Sequence, residues 1–210
     1  AYDADSDKVT LTFHEQNRLP KSITIKDDGD GMSATDIQEK FLVIGRNRRN
    51  AEGDKPSKKH KRLPTGKKGL GKLALFGLAK KITVDTVRDG LRNRFVLDWD
   101  SLLSADGSYH PDIEIENEQT VSPNGTTIKL SELKRKTPFD LEAVADSLSK
   151  LFIIDNSFSI ELKDTGLDKE PILIGNDRKY KFINQEFTWT ENDLVDSDSE
   201  FFDKVSFKFI

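Results

Sequence analysis

The sequence predicts an α/β protein, and the spacing of its apolar residues carries this prediction. Short segments with an apolar residue at every second position, such as Ile23 and Ile25, indicate half-buried strands. Longer segments with apolar residues at helical spacing indicate helices that pack on those strands. Hydrophobic residues make up 35% of the 210 residues and charged residues 33%. A chain of this length and composition can fill one large domain, or one domain and part of another.

The strands are predicted in chain order from this alternation. The first two, at 8–13 and 22–25, flank a turn at 17–20, and we expect them to form an antiparallel pair. The remaining strands are predicted at 81–87, 91–99, 113–115, 126–130 and 158–162.

Three helices are predicted between these strands. A capping box at 33–36 opens a helix with its apolar residues on one face, which ends near residue 45. The helix at 72–79 is apolar on nearly all sides, so we expect it to be buried. Apolar residues at helical spacing predict the third helix at 139–152.

The chain changes in character after residue 163. Residues 164–210 contain eleven acidic against six basic residues, several aromatic residues and β-like alternation at the end. We interpret 1–163 as one domain and 164–210 as the start of a second, mostly β module.

Positive charge is concentrated in one segment of an acidic protein. Residues 46–72 hold eleven Lys or Arg and two acids, a net charge of +9, whereas the whole chain carries −4. Such a block attracts phosphate, either on a nucleotide or on nucleic acid. Residues 46–65 also lack apolar periodicity, and a loop of this length is typical of a lid or a disordered segment.

Composition excludes several classes of protein. The chain has no cysteine, and its three histidines are scattered without ligand spacing, which argues against a zinc site. No apolar run approaches the roughly 18 residues that span a bilayer, and the first residues are polar. We therefore expect a cytoplasmic protein.

Two glycine-rich segments are candidates for ligand binding. In the first, Asp27 is followed by Gly29, Gly31 and Met32, so that the chain turns tightly or allows close approach to its backbone. Taken alone, this pattern also fits a plain turn. The second, at 66–72, matches a P-loop except at its last position, where a leucine replaces Ser or Thr. We expect instead that its backbone N–H groups and lysines face an anion where a helix begins.

Three motifs, in this order, resemble the ATP-binding domain of the GHKL superfamily (DNA gyrase B, the ninety-kilodalton heat-shock chaperone, sensor histidine kinases and MutL). Residues 27–32 match D-x-G-x-G-M, residues 66–71 match G-x-x-G-x-G, and residues 124–127 match the late Gly-Thr motif. Residues 1–4 look like the end of the family's first motif. The resemblance covers about 1–163.

The resemblance implies a Bergerat-type fold: a two-layer α/β sandwich with a mixed, mainly antiparallel sheet, helices on one face, and ATP between the layers. It implies that Asp27 accepts a hydrogen bond from the adenine 6-amino group. Thr126 would support that contact through water, and Met32 would pack on the purine face. The other nucleotide-binding residues implied are Asp3, Ala4, Gly29, Gly31, Phe41, Arg46, Asn47, Gly66, Lys68, Gly69, Leu70, Gly71 and Lys72.

The resemblance also implies a function. The closest branch is that of the chaperone, MutL and MORC-like proteins, in which ATP closes the lid over the site and dimerises the domain. We therefore expect ATP binding with slow Mg²⁺-dependent hydrolysis in the full-length protein. The glutamate base and metal-binding asparagine of ATP-hydrolysing members would lie upstream of Ala1, so we expect this chain to bind and hydrolyse ATP poorly.

Two alternatives remain open at this point. The segment 46–72 could make the chain a nucleic-acid-binding module, although it contains no aromatic residue to stack on single-stranded bases. Contact with duplex phosphates stays compatible with ATP binding. The domain could also be a catalytically inactive scaffold that retains the fold.

Overall fold

The computed structural model describes residues 1–43, 55–63, 65, 71–106, 109–152, 157–166 and 170–181. The chain divides into one compact unit, Ala1–Lys179, and a second, Tyr180–Ile210. The sheet and the α-helices described below all belong to the first unit.

An eight-stranded sheet is the main element of the fold. Its strands are β1 (Lys8–Gln16), β2 (Leu19–Asp27), β3 (Ala79–Arg88), β4 (Leu91–Asp98), β5 (Asp112–Gln119), β6 (Gly125–Leu133), β7 (Ser159–Asp164) and β8 (Ile172–Ile174). Their order across the sheet is β5-β4-β3-β6-β2-β1-β7-β8. β1 and β7 are parallel, and the other neighbouring pairs are antiparallel. The predicted mixed, mainly antiparallel sheet is therefore confirmed.

The helices are short except for the last one. They are α1 (Ala34–Asp36, continued by a π-helix at Ile37–Phe41), α2 (Gly71–Ala74, continued by a 3-10 helix at Leu75–Gly77), α3 (Trp99–Ser104) and α4 (Leu141–Leu151). Two further 3-10 turns span Tyr2–Ala4 and Asn176–Tyr180.

The helices cover one face of the sheet, as predicted. Directly paired residues on neighbouring strands point to the same face, and at the centre of the covered face these pairs are apolar. Ile82, for example, pairs with both Leu130 and Leu97, and it is fully buried together with Leu130. Side chains of the π-helix, of the 3-10 helix after α2 and of α3 pack there, and Ala145 of α4 packs further along the same face. Burying each large aliphatic side chain contributes about 1.5–3 kcal/mol relative to exposure.

The predicted helix at 72–79 was wrong at its C-terminal end. α2 ends at Ala74, a 3-10 turn follows, and Ala79 already pairs with Leu133 as the first residue of β3. Leu78, which we expected to be buried, is 52% exposed. Pairing with β6 therefore overrides the local helix preference of this apolar segment.

Two other details differ from the expectations. The capping box at 33–36 is present, but the helix that it opens becomes a π-helix after one turn. Trp99, predicted as the end of a strand, begins α3, and the Asp98 carboxylate caps that helix by accepting from the Ser101 amide at 2.8 Å. Among the described residues, no helix is long and apolar enough to cross a membrane.

The sheet continues beyond residue 163. β8 pairs with β7, and Ile174 is 1% exposed in the core cluster under α4. The predicted β module at 164–210 lies mostly outside the described residues and stays a prediction.

Candidate nucleotide-binding site

A row of four polar residues crosses the helix-covered face of the sheet at one end of its central strands. The strand register pairs Asp27 with Thr126, Thr126 with Thr86, and Thr86 with Asn93. Each of these strands carries an apolar residue two positions away on the same face, and these residues are Ile25, Ile128, Val84 and Phe95. Thr86 is 1% exposed and Asn93 3% exposed. We call these four residues the polar row, and buried polar groups of this kind require hydrogen-bond partners.

Asp27, the last residue of β2, has one carboxylate oxygen fixed by backbone donors. Its Oδ1 accepts from the Gly29 amide at 3.0 Å and from the Thr126 amide at 3.2 Å. Its Oδ2 lies 3.7 Å from the amino nitrogen of Ala1, and the side chain is 12% exposed. The backbone thus orients the carboxylate and leaves Oδ2 as the oxygen that can accept from a ligand.

The glycines after Asp27 are required by close contacts within the protein. Gly31 has a φ of +68°, and a Cβ there would lie 1.9 Å from the Val87 carbonyl oxygen. A Cβ on Gly29 would lie 2.6 Å from the Ala4 carbonyl oxygen. The close approach that the sequence predicts is therefore made by other segments of this chain, and only glycine fits at these two positions.

Thr86 is a residue of this site that the sequence interpretation missed. Its hydroxyl accepts from the Met32 amide at 2.9 Å, donates to the Gly125 carbonyl at 3.1 Å, and lies 3.1 Å from the Thr126 hydroxyl. It therefore connects the turn after β2 with the Gly-Thr motif at the start of β6. Met32 itself is partly buried against the core cluster.

Asn93 completes the polar row beside a small cavity. Its Oδ1 accepts from the Asn117 amide at 2.9 Å, whereas its Nδ2 has no hydrogen-bond partner within the described residues. The cavity, of about 30 Å³, is lined by Asn93 together with apolar side chains such as Ile37 and Phe95. It has room for one water molecule, the kind of group that satisfies a buried amide.

Asp28 ties the turn after β2 to the start of β1. Its Oδ1 accepts from the Ser6 hydroxyl at 2.7 Å and from the amides of Asp7 and Lys8 at 2.9 and 3.0 Å. Burial raises the pKa of this carboxyl, but the hydrogen bonds outweigh burial and leave the pKa below its usual value. The negative charge is thus stabilised by the N-terminal residues.

Of the two N-terminal residues that the resemblance assigns to the site, Ala4 lies against this turn. The Ala4 carbonyl accepts from the Asp30 amide at 2.8 Å. Asp3 faces away to residue 65, where its Oδ1 accepts from the Thr65 amide at 3.0 Å and from its hydroxyl at 2.8 Å.

Residues 57–62 of the basic segment pack against the N-terminal residues. We call residues 57–62 the docking segment. Asp5, 5% exposed, accepts from the amides of Lys59 and His60 at 2.7 and 3.2 Å. Burial raises the Asp5 pKa, but hydrogen bonds from Ser57 and from these amides outweigh burial and lower it. Asp7 accepts hydrogen bonds from the side chains of Lys59 and His60. Both bonds lower the Asp7 pKa, and the bond from Lys59 has the larger effect.

Arg62 anchors the docking segment in the interior. It is 6% exposed and donates to the Ser6 carbonyl at 2.7 Å and to the Ser157 carbonyl at 2.6 Å. Its guanidinium lies over the ring of Tyr2 at 4.5 Å and near that of Phe158 at 5.3 Å. Part of the positive charge that the sequence places in a solvent-exposed loop is therefore buried.

Charged contacts also fix the start of α1. The Ser33 hydroxyl and the Asp36 amide form the predicted cap, while Asp36 pairs with Lys40 at 2.6 Å and with Arg88 at 2.7 Å. Burial raises the Asp36 pKa, but hydrogen bonds from Lys40 and Ser33 outweigh burial and lower the pKa to about 2. The helix that follows Met32 is thereby held to the end of β3.

Several predicted site residues cannot be placed in this geometry. Those outside the described residues are Arg46, Asn47, Gly66, Lys68, Gly69 and Leu70. Gly71 and the backbone of Lys72 begin α2. Phe41 packs edge-on against the buried ring of Phe95, with centroids 5.7 Å apart. The nucleotide-binding roles of all these residues stay predictions.

The described side chains do not form a cluster for the Mg²⁺ that the resemblance implies. Among the described residues, no group of three or more His, Asp or Glu side chains could hold a metal ion. The described part of the site thus offers acceptors for a base but no metal-binding cluster.

Comparisons with known proteins find a similar curated sequence and a large number of similar solved structures. The chain is similar to "Putative type II restriction enzyme HgiDII" of Herpetosiphon aurantiacus, with 29% identity over 216 residues. That match covers 100% of this chain and 33% of the relative, so the chain spans a third of the relative's length. One of the similar solved structures is the topoisomerase IV ATP-binding domain of Francisella tularensis in complex with a small-molecule inhibitor. It has 19% identity and a TM-score of 0.45, and the match covers 81% of this chain and 76% of that one.

The family match covers the site described above. The sequence model of the family described as histidine kinase-, DNA gyrase B- and HSP90-like ATPase matches residues 1–135. This range includes all four residues of the polar row, the turn after β2 and the glycine-rich segment at 66–72. The chain therefore belongs to the histidine kinase-, DNA gyrase B- and HSP90-like ATPase family, the GHKL superfamily whose motifs its sequence carries.

Proposed function

We propose that this domain binds ATP with the adenine ring against the polar row. The observation that carries the proposal is the geometry of Asp27, a nearly buried carboxylate whose Oδ1 is fixed by the amides of Gly29 and Thr126. A carboxylate only accepts hydrogen bonds, so Oδ2 suits an exocyclic amino group such as the 6-amino group of adenine. In this proposal Met32 packs on the purine and Thr126 supports the amino contact through water.

The phosphates are proposed to bind at residues 66–72, ahead of α2. The support is the G-x-x-G-x-G pattern, with Lys68 and Lys72 as countercharges and Arg46 and Asn47 as further contacts. Mg²⁺ would be held mainly by the phosphates, because a magnesium ion usually needs only one or two protein carboxylates beside its substrate.

We further propose that the full-length protein hydrolyses ATP slowly and that nucleotide binding closes residues 46–65 as a lid and dimerises the domain. The contacts of the docking segment support the proposed coupling between nucleotide binding and lid closure. The docking segment contacts Asp5 and Asp7, and neighbouring N-terminal residues contact the turn after Asp27. Phosphate release from ATP by the full-length protein tests turnover. Nucleotide binding without turnover would favour the inactive scaffold.

The binding proposal is tested by calorimetry with ADP on the full-length wild type and on Asp27→Asn in the same full-length protein, with Asp30→Asn as the matched control. Asp30 is an exposed carboxylate in the same turn. We expect Asp27→Asn to weaken ADP binding roughly 10- to 100-fold, the usual effect of losing a hydrogen bond to a charged group. Asp30→Asn should bind as the wild type does. Equal ADP affinity in all three proteins would contradict the proposal.

A second proposal is that the whole protein contacts DNA, favoured by the description of its relative as a restriction enzyme and by the +9 charge of residues 46–72. Because Arg62 is buried, other basic residues of the segment must make the contact. In the described part of this segment, the exposed lysines that form no salt bridge with described residues are Lys55, Lys58 and Lys61.

The DNA proposal predicts a salt-dependent interaction that does not need the adenine site. Neutralising the three exposed lysines should weaken duplex binding and reduce the slope of its salt dependence by about 3. Asp27→Asn should leave DNA binding unchanged. If the lysine variant and the wild type bind duplex DNA equally, this segment is not the DNA contact.

A further inference from the structure

We propose that Thr86 sets the direction of the hydrogen bonds at the base-reading end of the site, so that the site accepts an amino group and rejects an oxo group. The inference rests on the proposed nucleotide function and adds a residue that determines its base specificity. Thr86 is 1% exposed and lies behind Thr126 in the polar row, so it acts through its neighbour. It is a positioning residue.

The Thr86 hydroxyl has three partners within hydrogen-bonding distance. The Met32 amide is 2.9 Å away, the Gly125 carbonyl oxygen is 3.1 Å away, and the Thr126 hydroxyl oxygen is 3.1 Å away. A hydroxyl donates one hydrogen bond and accepts two. Three partners therefore use its full capacity.

A single arrangement of protons forms all three bonds. The Met32 amide can only donate and the Gly125 carbonyl can only accept, so the Thr86 proton must point to Gly125. The bond between the two threonines then requires the proton of Thr126. If Thr86 instead donated to Thr126, the Gly125 contact would have no proton.

This arrangement decides what Thr126 offers to a ligand. With its proton directed back to Thr86, its hydroxyl oxygen has only lone pairs left for the site. The Asp27 carboxylate beside it also offers only acceptors, and the Thr126 amide is already used by Asp27 Oδ1. The two side chains thus present acceptors to a base, which suits the 6-amino group of adenine and opposes the 6-oxo group of hypoxanthine or guanine.

The experiment compares ADP with IDP (inosine diphosphate), which differs in the exchange of the 6-amino group for an oxo group with a proton on N1. Affinities are measured by calorimetry on the full-length wild type and on Thr86→Val and Thr86→Ser. Thr83→Val serves as the matched control, because Thr83 lies on the same strand and on the opposite face. The measured quantity is the ratio of the two affinities within each protein, which cancels any uniform loss from weaker folding.

We expect Thr86→Val to reduce the preference for ADP over IDP about tenfold, because the freed Thr126 hydroxyl can then donate to an oxo group. Thr86→Ser and Thr83→Val should keep the wild-type ratio. Should Thr86→Val fail to fold, Thr126→Val provides the second test and is also expected to reduce the ratio.

Nucleotide binding with an unchanged ratio in Thr86→Val and in Thr126→Val would overturn this inference alone and leave Thr86 a structural residue. Wild-type protein that binds neither ADP nor IDP would overturn the nucleotide proposal and this inference with it. The two failures are therefore distinguishable.

Discussion

The polar row and the docking segment both reach the N-terminal residues, but different forces hold them in place. The polar row is fixed by strand register and by short bonds to backbone groups, as at Asp27 and Thr86. The docking segment is held by carboxylates that meet an ammonium, an imidazole and backbone amides, with Arg62 as its buried anchor.

This difference indicates a division of roles within the site. Strand pairing and hydrogen bonds to the backbone do not respond to salt or to moderate changes of pH. The polar row, which forms the base-reading end of the proposed site, should therefore be rigid and preorganised. Exposed ion pairs are weak and are screened by salt. A segment held partly by such pairs can be released without disturbing the sheet, as the proposed lid requires.

We expect the largest effect from a substitution that disrupts the close contacts around the polar row. Gly31→Ala places a Cβ 1.9 Å from the Val87 carbonyl oxygen at a φ of +68°. We expect it to destabilise the fold by about 3–5 kcal/mol, since strain and a backbone clash add at this position. Urea denaturation measures the change.

Gly77→Ala is the matched control for this prediction, because a Cβ there meets nothing within 4 Å. We expect its effect to stay within about 0.5 kcal/mol. Equal stability of the two variants would show that the turn after β2 is not rigid, contrary to the proposed difference between the polar row and the docking segment.

Arg62 tests whether the docking segment has a structural anchor apart from its exposed ion pairs. Arg62→Met keeps much of the side-chain volume but leaves the Ser6 and Ser157 carbonyls without their donor. We expect a loss of about 2–4 kcal/mol, because buried acceptors lose charge-assisted bonds. Urea denaturation and limited proteolysis at 57–62 provide the measurements.

The control for Arg62 is Lys58→Met, which removes an exposed charge from the same segment. It should leave both stability and proteolysis near the wild-type values. If Arg62→Met were equally harmless, the segment would have no interior anchor and its docking would depend on surface charge alone.

The sequence predicts the polar row only in part, although it contains a signal for all of it. Asp27 and Thr126 were identified through motifs, whereas Thr86 and Asn93 were missed. Each of these four residues occupies a core-facing position of its strand, two residues from an apolar neighbour such as Val84 or Phe95. The signal is a polar residue in core register, and it becomes specific only once strand pairing places the four side by side.

The docking segment could not be predicted in the same way. The segment has no apolar residues at helix or strand spacing, and its composition is that of a solvated loop. Asp5 and Arg62 are 57 residues apart in the chain, and both are buried at the same place through contacts that depend on the tertiary fold. Local sequence therefore indicates the charge of this segment but not its partners.

Asp36 brings a network of charged groups to the same end of the sheet as the polar row. Its pKa is lowered from 3.8 to about 2, so its contribution to stability is present above about pH 4 and is lost as the pH falls towards 2. We expect Asp36→Asn to cost about 2 kcal/mol at pH 7 and to cost little at pH 2. Asp100→Asn, at an exposed acid, is the control.

Urea denaturation between pH 2 and pH 7 measures this difference. The wild-type and Asp36→Asn curves should converge at the acid end, while Asp100→Asn should follow the wild type within a few tenths of a kcal/mol throughout. A constant gap between wild type and Asp36→Asn would assign the effect to the lost cap geometry and not to the charge.

Asp7 gives the smallest effect and the most direct test of salt sensitivity. Its carboxylate is half exposed and pairs with Lys59 and His60, which lower its pKa. The contribution of these ion pairs to stability is therefore present at pH values above the usual pKa of an aspartate, and it is lost as the pH falls through the lowered pKa of Asp7. We expect Asp7→Asn to leave global stability almost unchanged. At low salt it should increase the rate of amide hydrogen exchange at 57–62. This difference from the wild type should vanish at about 1 M salt, because the Debye length is then near 3 Å.

Amides of the polar row, such as Thr126, provide the internal reference in the same experiment. Their exchange should be slow and independent of salt in both proteins, because strand pairing and the Asp27 carboxylate protect them. If salt changed exchange equally at 57–62 and at the polar row, the two regions would open as one unit. Lid movement could then not occur without disturbing the base-reading end.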